Sequence, residues 1–257
     1  MNRKYLFFDI DGTLTNDNPG GEIEESTLQT LRKLEENGHF VAIATGRSYT
    51  LVQDAMKATG IKNVVCNGGN AIVLDGKLQY IHPLERNKAL KVLHECLDKG
   101  FPFTFTINDS IEAYAYDHEF EKIMPNGGFL NIHVDNKPLE EYAEFHKLFI
   151  GLDMEHEKEL ESRTVLGYAR YWPTWMIIEP DDKYQGIVDM IHMIGGKEED
   201  IVVFGDGYND LKMMEKAPLG IAMGNAIDEL KEKASFVTLD NKHDGITYAC
   251  KHFGWID

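Results

Sequence analysis

The chain has 257 residues, of which 43% are hydrophobic and 27% are charged. This is the composition of a globular protein, and it excludes a disordered chain, a collagen-like repeat and a coiled coil. Twenty-six basic and 43 acidic residues give a formal net charge of −17 at pH 7, so nucleic acids and anionic membranes are not expected partners. Any small anionic ligand must therefore be bound by a local group of cations.

The first third of the chain alternates between strand and helix patterns. Short apolar runs at Tyr5–Phe8, Phe40–Ala44 and Val64–Cys66 predict strands that are buried on both faces. Helical spacing of apolar residues within 28–34 and 51–56 predicts a helix between each pair of strands. This order predicts a parallel sheet with right-handed crossovers.

The middle of the chain carries hairpin patterns instead. Apolar runs flank turn residues at Asp75-Gly76, at Asn108-Asp109-Ser110 and at Trp172-Pro173, and each predicts an antiparallel strand pair. The last third returns to the first pattern, with a helix over 184–194 and strands at 201–204 and 219–222. The predicted fold class is α/β: a Rossmann-like parallel-sheet core over 1–82 and 183–257, with an inserted α+β domain over 83–182.

No apolar run approaches the roughly 18–20 residues that a membrane-spanning helix requires. The run at Tyr5–Phe8 ends at Asp9 after four residues, which is too short for the apolar region of a signal peptide. Cys66, Cys96 and Cys250 are widely spaced and form no C-x-x-C motif. They predict reduced thiols in a cytoplasmic protein.

Polar residues follow the predicted core strands at their carboxyl ends, which is the edge where open α/β sheets bind ligands. Asp9 and Asp11 follow the first strand and would point the same way if strand geometry persisted. Two such anions repel each other unless a cation lies between them or one binds a proton. The turn at Gly12 would expose N–H groups that suit an anion. Solvated acids at a strand end are the alternative interpretation.

Three further groups have both a chemical and an ordinary interpretation. Thr45 and Gly46 can bind a phosphate oxygen, or Thr45 can be a helix N-cap. Asp206 and Asp210 in the segment 205–210 offer hard oxygen ligands suited to Mg²⁺, or form an Asx-rich turn. Lys183 precedes a helix and by itself is typical of a solvated surface lysine.

Taken in order, these segments resemble the four motifs of the haloacid dehalogenase superfamily. Residues 9–13 resemble motif I (DxDGT), Thr45 motif II, Lys183 motif III in the form K-x-x-G, and residues 205–210 motif IV (GDGxND). The insert resembles the C2-type cap of the Cof-type sugar-phosphatase subfamily. Asn67-Gly68-Gly69 resembles that subfamily's NGA signature, with Gly69 in place of alanine, and Tyr184 replaces the glycine that often follows the motif III lysine.

The resemblance implies a Mg²⁺-dependent phosphatase that acts on small phosphorylated metabolites, with sugar phosphates as the first expectation. It implies Asp9 as the nucleophile that forms an aspartyl-phosphate, and Asp11 as general acid and then general base. The implied roles of the other residues are these: Lys183 and Thr45 complete the catalytic set; Gly12, Thr45, Gly46, Lys183 and Asn209 bind phosphate; Asp9, Asp11 (through its backbone carbonyl), Asp206 and Asp210 hold Mg²⁺. Whether Asp210 binds the metal directly stays open.

Two other functions are compatible with the same motifs. A phosphomutase of hexose phosphates shares motif I, although no Arg-Asn-Gly-type segment is present in the insert. A non-catalytic sensor of phosphorylated ligands would retain the fold without turnover. In the insert, His133, Tyr168, Arg170 and Trp172 are candidates for recognising the leaving group, with surface or core positions as the alternative. A monomer is consistent with the sequence.

Overall fold

The computed structural model of the chain describes residues 2–17, 20–124 and 129–257. The chain divides into two compact units. The core unit comprises Met1–Arg47, Leu51–Tyr80 and Asp182–Asp257, and the inserted unit comprises Ser48–Thr50 and Ile81–Asp181. The sequence places the two borders after residues 82 and 182 and does not anticipate that Ser48–Thr50 groups with the insert. The assignment of the units to a catalytic core and a cap stays a prediction.

The core unit contains an eight-stranded sheet with the order β14-β13-β12-β1-β2-β3-β4-β5. The strands β14 to β3 in this order are parallel, and β4 runs antiparallel to β3. The hairpin predicted at Asp75-Gly76 therefore extends the parallel sheet by two strands. The strand bounds are β1 Tyr5–Phe8, β2 Phe40–Ala44, β3 Val64–Cys66, β4 Ala71–Leu74, β5 Lys77–Ile81, β12 Ile201–Gly205, β13 Leu219–Ala222 and β14 Phe236–Val237.

Helices cover this sheet, which is why its central strands can be wholly apolar. The buried side chains of α4, α5 and α6 pack with Phe7, Ala42 and Val203 in one hydrophobic cluster. The alternate residues Leu6 and Phe8 are also fully buried, and α1 lies against β2 and α7. The helix bounds in this unit are α1 Glu25–Glu36, α2 Tyr49–Thr59, α4 Lys183–Met193, α5 Leu211–Lys216, α6 Asp228–Lys233 and α7 Gly245–His252; the first two residues of α2 fall in the inserted unit.

The inserted unit contains a six-stranded sheet with the order β10-β11-β9-β6-β7-β8 and the helix α3 at Arg86–Lys99. The pair β7 and β8 is parallel, and the other pairs are antiparallel. Phe105 and Leu148 on one face pack with Leu93 of α3, whereas Phe149 and Trp175 belong to a second cluster. The strand bounds are β6 Phe103–Thr106, β7 Glu112–Ala115, β8 Asn131–Val134, β9 Lys147–Ile150, β10 Tyr168–Trp172 and β11 Trp175–Ile178.

The predicted α/β fold with an antiparallel-rich insert is confirmed. The elements that the sequence analysis missed are β8, β9, β14 and the helices α5 to α7, which span two to eight residues each. Such lengths give too few periods for a pattern to distinguish strand from helix. The third predicted hairpin is present as the antiparallel pair β10 and β11. All three cysteines are buried thiols, and none of the described helices is long and apolar enough to cross a membrane.

Candidate active site

Three of the predicted residues follow adjacent strands of the core sheet. Asp9 follows β1, Thr45 follows β2 and Asp206 follows β12. These strands are neighbours, and Phe8 is in register with Ile43 on one side and with Phe204 on the other. Because the strands are parallel, the three polar residues emerge at the same sheet edge, as the sequence predicts. Gly46 follows Thr45 at this edge.

Lys183 joins the acidic residues of this edge. Its Nζ donates to Asp9 Oδ1 and to Asp210 Oδ1, both at 2.7 Å. The Lys183 side chain is only 2% exposed, so it is not the solvated surface lysine of the ordinary interpretation. Burial by itself would lower the pKa of Lys183, but attraction to Asp210 and Asp9 outweighs burial and raises that pKa above its usual value. The ammonium is therefore charged throughout the physiological pH range.

Asp9 remains electrostatically unfavourable in spite of its lysine partner. Burial raises the pKa of Asp9 well above its usual value, Lys183 opposes this, and repulsion from Asp210 and Asp206 adds to it. Asp9, Asp206 and Asp210 are all buried, and one carboxylate oxygen of each lies within 4.8 Å of the others. Three crowded carboxylates with one ammonium leave an excess of negative charge. A divalent cation would compensate it, so the donor set fits Mg²⁺, which prefers carboxylate oxygens.

Backbone groups and a threonine fix the other two carboxylates. Asp210 Oδ2 accepts the N–H groups of Asp206 at 3.0 Å and of Gly207 at 3.1 Å. Asp206 Oδ1 accepts the Thr13 hydroxyl at 3.0 Å. Both oxygens of Asp210 are thus occupied by donors. Asn209 lies half-buried in the turn between Asp206 and Asp210.

The start of α4 is positioned by the Asn67–Gly69 turn that follows β3. The Asp182 N–H donates to the Gly68 carbonyl at 3.0 Å. A Cβ on Gly69 would lie 2.3 Å from the Asp182 carbonyl oxygen, and a Cβ on Gly186 would lie 2.6 Å from Val65 Cγ1. Gly69 also has a φ of +111°, which L side chains rarely adopt. Glycine at 69 and 186 therefore lets α4 approach closely enough for Lys183 to reach Asp9.

The role of Gly12 in the structure differs from the predicted exposure of its N–H group to an anion. Its N–H donates to the Asp17 carbonyl at 3.1 Å and to Thr15 Oγ1 at 3.3 Å, so this group is directed into its own loop rather than toward a phosphate. Its φ is +81°, and a Cβ on it would lie 2.2 Å from Asp206 Oδ2. Glycine at this position makes room for the Asp206 carboxylate.

We expect Gly12→Ala to abolish most activity, because the added methyl group must displace Asp206. Gly38→Ala is the matched control: Gly38 has a φ of +84°, and a Cβ on it would have no atom within 4 Å. Gly38→Ala should lose about 1–2 kcal/mol of stability from the left-handed backbone, and Gly12→Ala should lose more because of the added contact with Asp206, as measured by denaturant unfolding. Equal activity in the two variants would contradict the assignment of Gly12 to this contact.

The Asp11 carboxylate does not point with that of Asp9, in contrast to the expectation from strand geometry. Arg47 donates to it from Nε at 2.8 Å and from Nη2 at 2.5 Å, and the Gly20 N–H donates at 2.8 Å. Strand alternation is lost because β1 ends at Phe8 and a tight turn begins at Ile10. Arg47 is the residue that sequence reasoning overlooked. Its position directly after Thr45-Gly46, at the ligand edge of β2, was the available signal.

Two of the leaving-group candidates contact Glu157 inside the insert. Tyr168 donates its hydroxyl to Glu157 Oε1 at 2.9 Å, and Arg170 Nε donates to Oε2 at 2.9 Å. Arg170 also donates to the Leu152 carbonyl at 2.8 Å. His133 lies in an exposed pair with Glu112, and Trp172 is exposed. The contacts of Tyr168 and Arg170 indicate a structural role, and recognition by any of the four candidates stays a prediction.

Comparison with known proteins identifies the family. Residues 6–250 match the family model described as haloacid dehalogenase-like hydrolase. The chain belongs to this family. The Bacillus subtilis (strain 168) protein named "Putative phosphatase YkrA" is 33% identical over 258 residues, which cover 99% of each chain. The resemblance of the motifs to this superfamily and to its Cof-type members is therefore confirmed.

Two other relatives of this haloacid dehalogenase-like hydrolase have more specific names. A second Bacillus subtilis (strain 168) protein, the 5-amino-6-(5-phospho-D-ribitylamino)uracil phosphatase YitU, is 28% identical over 268 residues and 98% of each chain. A solved structure, described as the HAD subclass IIB sugar phosphatase BT4131, has a TM-score of 0.81 and 28% identity over 98% of this chain and 100% of that chain. With the family and these relatives, the predicted enzyme class is confirmed: the chain is a phosphatase.

Proposed function

We propose that the protein hydrolyses small phosphorylated metabolites in a Mg²⁺-dependent reaction that proceeds through an aspartyl-phosphate on Asp9. The observation that carries the proposal is the buried cluster of Asp9, Asp206 and Asp210 with Lys183 between two of the carboxylates. Strongly shifted pKa values, such as the raised pKa of Asp9, are typical of catalytic sites.

The side chains of the site divide into metal-binding and metal-supporting groups. The Asp9 and Asp206 carboxylates and the Asp11 backbone carbonyl would hold Mg²⁺. Asp210 would support the site without binding the metal, because its two oxygens already accept hydrogen bonds from Lys183 and from the Asp206 and Gly207 N–H groups. Bound Mg²⁺ would neutralise part of the charge on the phosphoryl oxygens.

The first step transfers the phosphoryl group to the enzyme. An Asp9 carboxylate oxygen attacks phosphorus and forms a bond to it, while the bond from phosphorus to the ester oxygen breaks. Asp11 donates a proton to that departing oxygen, which leaves as an alcohol. In this structure Asp11 is bound by Arg47, so the step requires its carboxyl group to turn from Arg47 toward the substrate.

The second step releases phosphate. Asp11, now a carboxylate, accepts a proton from water, whose oxygen bonds to phosphorus as the bond from phosphorus to Asp9 breaks. Lys183, the Thr45 hydroxyl, Asn209 and the Gly46 backbone would bind the phosphoryl oxygens in both steps. Such preorganised donors are the main source of acceleration in phosphoryl transfer. The Thr45 hydroxyl oxygen accepts the Arg47 N–H at 3.1 Å. The hydroxyl proton of Thr45 must therefore point away from the Arg47 N–H.

The substrate class that we propose is phosphorylated sugars and sugar alcohols. One relative is named for a phosphoribityl compound and another as a sugar phosphatase. The first name denotes a phosphate on a polyhydroxylated ribityl chain, and the second denotes a phosphorylated sugar. We place the enzyme in the cytoplasm, in agreement with its three buried thiols.

The test is a phosphate-release panel of sugar, alditol, glycolate, pyridoxal and flavin phosphates, with Mg²⁺ and with excess EDTA. We expect release for one or more sugar or alditol phosphates, its loss in EDTA, and its return when Mg²⁺ is added in excess. Isomerisation of a hexose phosphate without phosphate release would identify a phosphomutase instead. Ligand binding without turnover across the panel would favour a sensor and overturn the proposal.

A further inference from the structure

A segment outside the four motifs connects the two loops that carry the acidic residues. Residues 223–227 follow β13. The Met223 N–H donates to the Gly205 carbonyl and the Ile227 N–H to the Asp206 carbonyl, both at 3.0 Å. Between them, the Asn225 side chain crosses to the other loop, where its Nδ2 donates to the Gly12 carbonyl at 2.8 Å. This segment therefore holds the loop 205–210 and the loop 9–17 together.

Asn225 is itself oriented by a second asparagine. Asn225 Oδ1 accepts the Asn241 N–H at 3.0 Å, and Asn241 Nδ2 donates to the Thr15 carbonyl at 2.8 Å. The contact at Oδ1 fixes which end of the Asn225 amide faces Gly12, since only the nitrogen end can donate. The two amides thus bind both ends of the turn 12–15, although they lie more than 200 residues away in the chain.

The contact between Asn225 and Gly12 affects Asp206 through the peptide group that joins Gly12 to Thr13. In a planar trans peptide the C=O of Gly12 and the N–H of Thr13 point in opposite directions. Fixing the Gly12 carbonyl therefore fixes the orientation of the backbone that carries Thr13. The Thr13 hydroxyl donates to Asp206 Oδ1 at 3.0 Å. The position of this hydroxyl therefore influences the orientation of the Asp206 carboxylate.

We infer that Asn225, supported by Asn241, is a positioning residue of the phosphatase site that sets the orientation of the 12–13 peptide and thereby of Asp206. The inference rests on the proposed function and deepens it. Asn225 contacts neither Asp9 nor Lys183 in the described contacts, and Asn225 is solvent-exposed. Its loss should therefore reduce catalysis far more than stability.

The experiment compares Asn225→Asp and Asn225→Ala with matched changes at Asn37. Asn225→Asp keeps the acceptor for the Asn241 N–H but replaces the donor that binds Gly12. Asn225→Ala removes the donor without adding charge. Asn37 is also exposed, and its Nδ2 donates to a backbone carbonyl, that of Trp255, at 2.7 Å. Asn37 follows α1 and precedes β2, at the opposite edge of the sheet from the site, so Asn37→Asp and Asn37→Ala lose the same kind of bond elsewhere.

We expect both Asn225 variants to lower kcat by about 10- to 100-fold, the usual effect of removing a group that orients a metal-site residue. KM should change little in Asn225→Ala, and the unfolding midpoints should match those of the Asn37 variants, whose kcat stays at the wild-type value. A second readout is the Mg²⁺ concentration for half-maximal activity, which should rise in the Asn225 variants alone.

The outcomes separate this inference from the proposed function. If the wild-type protein releases phosphate and Asn225→Ala retains its kcat and its Mg²⁺ requirement, the positioning role is wrong and the function stands. If kcat falls equally in the Asn225 and Asn37 variants, the effect is general destabilisation and the inference is also wrong. If the wild-type protein releases no phosphate from any substrate, it is the proposed function that fails.

Discussion

Asp9→Asn is expected to reduce phosphate release by a factor on the order of 10⁴–10⁶, which is the scale of loss when a covalent nucleophile is removed. The amide nitrogen or oxygen of asparagine cannot replace a carboxylate oxygen in the attack on phosphorus. Asparagine also removes one anionic ligand of the proposed metal site. The measurement is steady-state phosphate release with a substrate identified by the panel, in saturating Mg²⁺.

The same substitution should leave the metal-free fold at least as stable as the wild type. The pKa of Asp9 is raised above its usual value of 3.8 even with Lys183 beside it, so the folded protein binds this proton more tightly than the unfolded chain. The stability that this proton contributes is therefore present below the unfolded pKa and is lost as the pH rises through the folded pKa, so a buried Asp9 carboxylate is destabilising relative to an uncharged side chain. Asparagine removes that destabilisation, which denaturant unfolding in EDTA measures at pH 7.

Asp200→Asn is the matched control for Asp9→Asn. Asp200 also forms an ion pair with a lysine, since its carboxylate lies 2.5 Å from Lys4 Nζ. Asp200 immediately precedes β12 and therefore lies at the amino edge of the sheet. We expect its phosphate release to equal that of the wild type. Near-native turnover in Asp9→Asn would refute the nucleophile assignment, and an equal loss in Asp200→Asn would show that the effect is not specific to the site.

Lys183→Met is expected to abolish turnover and also to destabilise the metal-free protein at pH 7 by about 3–5 kcal/mol, the usual result of removing one partner from a buried ion pair. The variant leaves Asp9 and Asp210 facing each other without the ammonium that both bind at 2.7 Å. Urea unfolding in EDTA measures the loss. Because protonation of Asp9 removes one of the two charges, the difference from the wild type should shrink as the pH is lowered.

Two further variants test the cause of that loss. Lys4→Met removes the ammonium of a partly exposed pair, in which the Lys4 side chain is 27% exposed, and should cost only about 0–1 kcal/mol. The double variant Asp9→Asn/Lys183→Met should regain part of the stability lost by Lys183→Met, because it removes one of the uncompensated anions. A stability of Lys183→Met equal to that of the wild type would contradict the buried ion pair.

Much of the fold follows from local patterns. The strands β1, β2 and β3 are continuous apolar runs bounded by polar residues, and each was predictable at its observed bounds. Strands joined by crossover helices must be parallel, so their carboxyl ends share one edge. That rule alone predicts that Asp9, Thr45 and Asp206 lie close together. By contrast, β14 and the short helices α5 to α7 depend on neighbours that lie far away in the sequence.

The contacts within the site were less predictable. Strand alternation suggested that Asp9 and Asp11 point together, yet Asp11 binds Arg47, 36 residues later in the chain. A turn glycine suggested an exposed N–H at Gly12, yet the tight approach of Asp206 is what requires glycine there. The asparagines at 225 and 241 have no motif pattern that relates them to the turn 12–15.

The amino-acid sequence by itself determined the core strands of the sheet, the edge at which polar residues collect, and the family to which the chain belongs. Each of these depends on residue type and short-range spacing. Only the tertiary structure decided which groups form hydrogen bonds with each other: Lys183 with Asp9 and Asp210, Arg47 with Asp11, and Asn225 with Gly12. The physical reason is that a hydrogen bond depends on tenths of an ångström and on direction, and packing between distant segments sets both.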